Sequence, residues 1–231
     1  MTEMAVKGDN IYIVWGTMMP SSSIFFRRST NGGATFEPAQ NLSGGWSFGE
    51  ARLSVSDWGL FAGWRMWDLL FRSSLDGGTT WSNMLNLSEG FGFSGVFNID
   101  SNGPNVYVTW TSSSGILYRR STNGGITFEP VQNLCNNCTE VNDPFFAVAG
   151  ANVYLLWWTG VNWQGDIFYR QSVDNGATFE PPPQNEPAQN VSNTPGGTGG
   201  VKAAVSSQGI LYLVWEDATP GNSDIFFRAI R

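Results

Sequence analysis

The stretch that decides the fold is FFRRSTNGGATF at residues 25–36, because close variants of it return three times along the chain. The variants are LFRSSLDGGTTW (70–81), LYRRSTNGGITF (117–128) and FYRQSVDNGATF (168–179). Successive copies are 45, 47 and 51 residues apart, measured between the serines that precede each turn. Periods of this length are typical of repeat proteins in which every repeat folds as one small structural unit.

Each copy follows a strand-like run that ends in tryptophan, and a fifth run of this kind stands near the end of the chain. These runs are IYIVW (11–15), LFAGW (60–64), VYVTW (106–110), VYLLW (153–157) and LYLVW (211–215). A matching arginine follows each of them, namely Arg27, Arg72, Arg119, Arg170 and Arg228. Alternating polarity with β-branched and aromatic residues predicts strands here.

Two further extended segments lie between each glycine turn and the next tryptophan run. One is TFEPAQNLS (35–43) with its relatives, and the other is short. The short segments are ARLSVS (51–56), VFNIDS (96–101), FFAVAG (145–150) and VKAAVS (201–206). Each repeat therefore has four strands, and no segment shows a useful length of helical periodicity.

We predict an all-β chain that folds as a β-propeller with five blades of four antiparallel strands, the last blade lacking its outer strand. The chain forms a single domain, 1–231, with blades at approximately 3–43, 51–88, 96–135, 145–192 and 201–231. The fifth blade reaches Arg231 where its glycine turn would begin. A three-stranded blade, a longer propeller and a strand supplied by a partner are all consistent with this pattern. An open edge strand also predicts self-association through the incomplete fifth blade.

Composition excludes several classes of function. A net charge of −7 and a pI near 4.5 argue against nucleic acid and against electrostatic attachment to an anionic membrane. No run approaches the ~18 apolar residues of a spanning helix, so we expect no membrane insertion. The chain has no histidine, which removes the commonest general base at neutral pH. We expect no metal site and no cofactor.

Each repeated turn has three chemical parts. An Asn or Asp provides a short acceptor for nearby backbone N–H groups, and a glycine two residues later allows positive φ. An aromatic residue three positions further on is expected to fold back as a plug between neighbouring sheets. The positions are Ser29, Asn31, Gly33, Phe36; Ser74, Asp76, Gly78, Trp81; Ser121, Asn123, Gly125, Phe128; and Ser172, Asp174, Gly176, Phe179.

This pattern resembles the Asp-box, or BNR repeat, of sialidases and related propellers, Ser-x-Asp-x-Gly-x-Thr-Trp. Two of the four copies have Asn for Asp, and three have Phe for Trp. In that family the boxes lie on the rim opposite the catalytic pocket. The resemblance therefore implies a structural role for the four turns.

The resemblance also raises the question of sialidase activity. Members of that family hold a substrate carboxylate with three arginines, and they use a Tyr–Glu nucleophile and an Asp acid/base. This chain lacks the family's Phe/Tyr-Arg-Ile-Pro motif. The nearest candidate catalytic residues are Arg52, Arg65, Asp143 and Glu216, which do not supply three arginines. The sequence favours a non-catalytic protein, with an exo-sialidase-like glycoside hydrolase and a structural assembly module as the alternatives.

The loops expected on the opposite rim carry aromatic residues that strand alternation does not explain. They are Trp46, Phe48, Trp67, Phe91, Phe93, Trp158 and Trp163. Aromatic residues on glycine-rich loops suit the binding of a glycan or of a protein partner. The alternative is that they cap the core of the propeller itself.

The two cysteines stand in CNNC at 135–138. With no histidine and no second cysteine pair, a zinc site is not expected. A disulfide between Cys135 and Cys138 is the better interpretation, and it predicts an extracellular or cell-surface protein. The N-terminal segment MTEMAVKGDN has no signal-peptide pattern, which leaves a cytoplasmic location as the alternative.

Overall fold

The computed structural model describes residues 2–17, 22–45, 47–93, 95–135, 138, 140–160, 165–181, 187–194, 197–219 and 221–231. The regular secondary structure of these residues consists of 19 β-strands. In these ranges no helix is long and apolar enough to cross a membrane.

The strands form five sheets in chain order. The first has β1 (Thr2–Lys7), β2 (Asn10–Gly16), β3 (Ile24–Ser29) and β4 (Gln40–Asn41). The second has β5 (Ala51–Val55), β6 (Leu60–Arg65), β7 (Leu69–Ser74) and β8 (Leu85–Asn86). The third has β9 (Phe97–Asn102), β10 (Asn105–Ser112), β11 (Gly115–Ser121) and β12 (Gln132–Asn133).

The fourth sheet has β13 (Val141–Ala149), β14 (Asn152–Thr159), β15 (Ile167–Ser172) and β16 (Gln189–Asn190). The fifth has only β17 (Thr198–Val205), β18 (Leu211–Asp217) and β19 (Asp224–Ile230). Strands that are adjacent in sequence are hydrogen-bonded neighbours within each sheet. The prediction of a five-bladed all-β propeller with a three-stranded last blade is therefore confirmed.

The outer strands are shorter than the sequence predicted. The segment 35–43 contributes only the two residues of β4, and each of its counterparts likewise pairs over two residues. In the first and third sheets, Pro38 and Pro130 lie just before the short strand and cannot donate to a ladder. β13 is longer than the predicted segment 145–150, because it already starts at Val141. Its pairing with β14 has an irregularity between Asn142 and Phe145.

The chain divides into two compact units. One comprises Met1–Phe93, Ile99–Val106 and Ser121–Glu129, and the other comprises Ser94–Asn98, Tyr107–Arg120 and Pro130–Arg231. A core cluster of the first unit includes Tyr12, Val14, Ile24, Phe26 and Trp64. Clusters of the second unit are built around Trp157 and Trp215. The tryptophans near the end of the second strand of sheets two to four are completely buried, as core residues should be.

Candidate functional site

The repeated glycine turns use their polar groups internally. In the first turn, the Ser29 hydroxyl donates to Asn31 Oδ1 at 2.9 Å and accepts from the Gly33 N–H at 2.9 Å. Asn31 Oδ1 also accepts from the Thr35 N–H. The same bonds recur in the turns around Asp76, Asn123 and Asp174. The side-chain acceptor of the motif therefore holds the turn in shape.

The aromatic residue of the second, third and fourth turns packs against the third strand of the preceding sheet. Trp81 meets Phe26 edge-on with ring centroids 5.0 Å apart, and Phe128 meets Phe71 at the same distance. A Cβ added to the turn glycine Gly125 would lie 2.7 Å from the Phe71 ring. Turn and plug therefore form one packing unit, which fits the structural role that the Asp-box resemblance implies.

The arginines near the end of the third strand in the first, fourth and fifth sheets bind backbone carbonyl groups. Arg170 Nε donates to Leu134 O at 2.7 Å, and Arg228 Nη1 donates to Val191 O at 2.7 Å. Leu134 and Val191 hold equivalent places after the outer strand of the preceding sheet. These arginines satisfy carbonyl acceptors, which is an architectural role.

A different arrangement surrounds Arg65 at the end of β6. The Arg65 N–H donates to Glu50 O, and its carbonyl accepts from the Phe48 N–H at 3.0 Å. Arg65 is thus bonded to both Phe48 and Glu50, with Gly49 between these two residues. Gly49 has a φ of 75°, and a Cβ on Gly16 would overlap its backbone. The bond between the Phe48 N–H and the Arg65 carbonyl holds Phe48 beside Arg65.

The Arg65 guanidinium lies against two aromatic rings. Its carbon is 5.4 Å from the centroid of Phe48 and 6.0 Å from that of Phe93. Phe48 also packs edge-on against Trp67, with centroids 5.1 Å apart. Trp67 is 80% exposed and Phe48 is 50% exposed. We call Phe48, Arg65, Trp67 and Phe93 the arginine–aromatic surface.

The charge of Arg65 is available to a ligand. Within the described part of the chain, no carboxylate forms a salt bridge with Arg65. Arg52, by contrast, pairs with Glu3 at 3.1 Å and with Glu50 at 3.4 Å. Of these two candidate cations, the structure leaves Arg65 open and neutralises Arg52.

The turn that carries Trp67 is held by a polar network. The Asp68 carboxylate accepts from Asn86 Nδ2 at 2.8 Å and from the Ser88 hydroxyl at 3.0 Å. Asp166, Asn190 and Ser192 repeat the same bonds in the fourth sheet. This network is architectural, and it explains why Asn-Leu-Ser and Asn-Val-Ser recur with the repeat.

The other sequence candidates lie elsewhere. Phe91 is 49% exposed and shares a loop with Phe93. Trp158 belongs to the second unit, where it is half-buried against a core cluster. Asp143, with φ of 41°, and Glu216 also belong to the second unit, and both are exposed. Trp46 and Trp163 lie outside the described residues.

A depression lies at the other end of β6. It is a groove of about 380 Å³ lined by Lys7, Tyr12, Trp58 and Leu75, among others. Its cation, Lys7, forms a salt bridge with Asp57 at 2.7 Å. The groove therefore offers an exposed tryptophan, but its lysine already has a carboxylate partner.

Sequence reasoning missed Asp100, which lies on β9. Burial raises the pKa of Asp100 to about 6, although the Ser101 N–H and the Ser54 hydroxyl donate to its carboxylate and oppose the shift. Burial of this side chain depends on tertiary packing, so no local pattern signals it. Among the described residues, no group of three or more acidic or cysteine side chains could hold a metal ion. Cys135 and Cys138 form a disulfide with their Cα atoms 5.6 Å apart.

No family model and no curated protein matches the chain. Solved structures do resemble it. A polysaccharide lyase described as an ulvan lyase, with -[GlcA(1-4)Rha3S]- bound, is 11% identical with a TM-score of 0.66, and the match covers 99% of this chain and 68% of the lyase. The polysaccharide lyase Uly1 is 10% identical with a TM-score of 0.61, over 100% of this chain and 57% of that one.

A third similar structure is the Bacteroides ovatus protein GH43B of a xyloglucan locus. It is 14% identical with a TM-score of 0.49. The match covers 100% of this chain but only 52% of GH43B, so this chain spans about half the length of that protein. At these identities the likeness to the two lyases supports the fold alone.

Proposed function

We propose that this protein is a non-catalytic β-propeller of the Asp-box type that binds an acidic saccharide on the arginine–aromatic surface. The observation that carries the proposal is Arg65, which stacks on Phe48 and Phe93 beside the exposed Trp67. A guanidinium offers paired N–H donors that match a carboxylate or a sulfate group. Aromatic faces offer apolar area to the C–H face of a sugar ring.

The geometry supports this choice over a neutral ligand. Arg65 lies against two rings and forms no salt bridge with a described carboxylate, so its charge can attract an anion. Trp67 is already exposed, so it adds contact area for a ligand without a conformational change. One similar propeller structure contains a bound saccharide, which agrees with this class of ligand for the fold.

The arrangement favours binding over glycosidase chemistry. Arg52 is occupied by two glutamates, so it does not add a second free cation beside Arg65. Five of the six tyrosines are buried within strands, where a substrate does not reach them. A sialidase-type nucleophile and a cluster of three arginines are therefore not supported by the described residues.

Calorimetric titration tests the proposal, with sulfated or uronate oligosaccharides compared with neutral ones of equal length. We expect the acidic series to bind, with an affinity that falls as salt is raised. Arg65→Ala should weaken binding at least tenfold, and Arg65→Lys should be intermediate because the planar stack is lost. Trp67→Ala should also weaken binding.

Trp58→Ala is the matched control, because it removes an exposed tryptophan at the opposite end of β6 and should leave binding unchanged. Equal affinity for neutral sugars, or an Arg65→Ala variant that binds normally, would overturn the proposal. Turnover of a fluorogenic sialoside that disappears in Arg52→Ala would instead establish the hydrolase alternative.

A further inference from the structure

The fifth sheet exposes a face that the first sheet buries. Tyr212, Val214, Ile225 and Phe227 are 37%, 40%, 71% and 64% exposed. Residues of the same four types, Tyr12, Val14, Ile24 and Phe26, are at most 6% exposed. The strand registers match, since Val14 pairs with Phe26 and Val214 pairs with Phe227.

The second sheet covers this face in the first sheet. Leu60, Ala62, Trp64 and Leu70 pack on it in one buried cluster, and the Trp81 ring lies on Phe26. The fifth sheet therefore carries the receiving half of an interface that the chain forms within itself. Contiguous exposed apolar patches of this kind are typical of interaction sites.

The first sheet carries the other half. Met4 and Val6 on β1 are 66% and 56% exposed, whereas their counterparts Leu53 and Val55 on β5 pack against the core cluster. Phe36 occupies the place of Trp81 in the first turn. Its described ring contact is with Arg27, at 5.8 Å.

The charges are complementary as well. In the contact between the first two sheets, Glu3 on β1 pairs with Arg52 on β5. Lys202 holds the register position of Glu3, because Glu3 pairs with Val14 and Lys202 pairs with Val214. If the fifth sheet received the first sheet of another copy in this geometry, Lys202 would face Glu3 of that copy, which carries the opposite charge.

We propose that the open face of the fifth sheet binds the first sheet of a second copy of this chain, head to tail. The contact is heterologous, because two different surfaces meet, and a dimer formed in this way keeps one free surface of each kind. Association therefore continues beyond a dimer unless the ring of copies closes. The contact reuses side-chain types that already pack inside each chain.

Sedimentation velocity over a range of protein concentrations tests this proposal. We expect the wild type to form species larger than one chain, and both Phe227→Glu and Met4→Glu to remain single chains. Mixing the two variants should restore a one-to-one complex, because each keeps the surface that the other lacks. Val173→Glu changes a 67% exposed valine on a turn outside both faces and should associate like the wild type.

Circular dichroism establishes that each variant is folded. If Phe227→Glu fails to fold, Lys202→Glu at an exposed position provides the second test, with association at least tenfold weaker at low salt. A wild type that stays a single chain at every concentration would refute the proposal. A Met4→Glu variant that associates normally would show a symmetric contact instead, which also contradicts it.

Discussion

Phe179 packs edge-on against Tyr118, with ring centroids 5.2 Å apart, and the Tyr118 hydroxyl donates to the Gly176 carbonyl at 3.0 Å. The two aromatic residues belong to successive sheets, and the carbonyl belongs to the glycine turn that precedes Phe179. One local motif therefore forms a turn and also binds the preceding sheet. This contact explains why the chain repeats the motif as a whole and not merely its glycine.

Phe179→Ala should lower the free energy of unfolding by about 3–5 kcal/mol, because it removes a side chain that is 3% exposed and leaves a cavity beside Tyr118. Phe36→Ala is the matched control, since Phe36 is half-buried and its described ring contact is with Arg27. We expect a loss below about 2 kcal/mol there. Urea unfolding measures both values, and equal losses would argue against the plug.

Gly125→Ala should destabilise the protein more than Gly90→Ala. Both glycines have φ near 76°, so alanine meets a similar backbone cost of about 1–2 kcal/mol at each. A Cβ at Gly125 would also press on the Phe71 ring, whereas nothing lies within 4 Å of a Cβ at Gly90. The additional loss should be about 1–3 kcal/mol. Matching urea midpoints for the two variants would contradict this explanation.

The protein should lose stability in acid through two turn aspartates. Hydrogen bonds from the Thr80 side chain and backbone lower the pKa of Asp76 to about 2. Burial would raise the pKa of Asp174, but bonds from Thr178, Ser172 and Ala177 outweigh it and lower that pKa to about 2 as well. Because the folded values lie below the unfolded value, the stabilisation is present above pH 4 and is lost as the pH falls toward 2.

Asparagine occupies the same position in the other two turns, as Asn31 and Asn123, and it does not titrate. Replacing both aspartates with asparagine is therefore a suitable control for the acid effect. A double variant, Asp76→Asn with Asp174→Asn, should show a flatter decline of unfolding free energy between pH 5 and pH 2. An unchanged decline would place the acid sensitivity in other carboxylates.

Asp100 should have the opposite pH dependence. Burial raises the pKa of Asp100 to about 6, so its contribution to stability is greatest below its unfolded pKa and is lost as the pH rises through 6. Asp100→Asn should therefore stabilise the protein at pH 8 relative to wild type, with a smaller effect at pH 4. Melting temperatures at the two pH values measure this, and a variant that is less stable at pH 8 would contradict it.

Local pattern predicted most of the fold. The five runs that end in tryptophan became β2, β6, β10, β14 and β18, because alternation of polar and apolar residues fixes both a strand and its buried side. The length of the outer strands was not predictable in the same way. In the first and third sheets, a proline just before the outer strand cannot donate to the ladder, and only two residues pair.

The candidate site was predictable only as a set of loops. Phe48, Trp67 and Phe93 were recognised because strand alternation does not account for them, and the structure groups them around Arg65. Trp158 has the same composition-based signal but packs beside a core. Arg52 and Arg65 look alike in sequence, and only the positions of Glu3 and Glu50 distinguish them.

The sequence by itself determined the repeat, the strand order and the plug, because these depend on residues that are close together along the chain. Tertiary structure alone decided which arginine remains open, which carboxylate is buried and which sheet faces stay uncovered. These properties depend on residues that are far apart along the chain, such as Glu3 and Arg52, whose distance is set by how the sheets pack. Burial and charge are properties of that packing, so no local pattern could specify them.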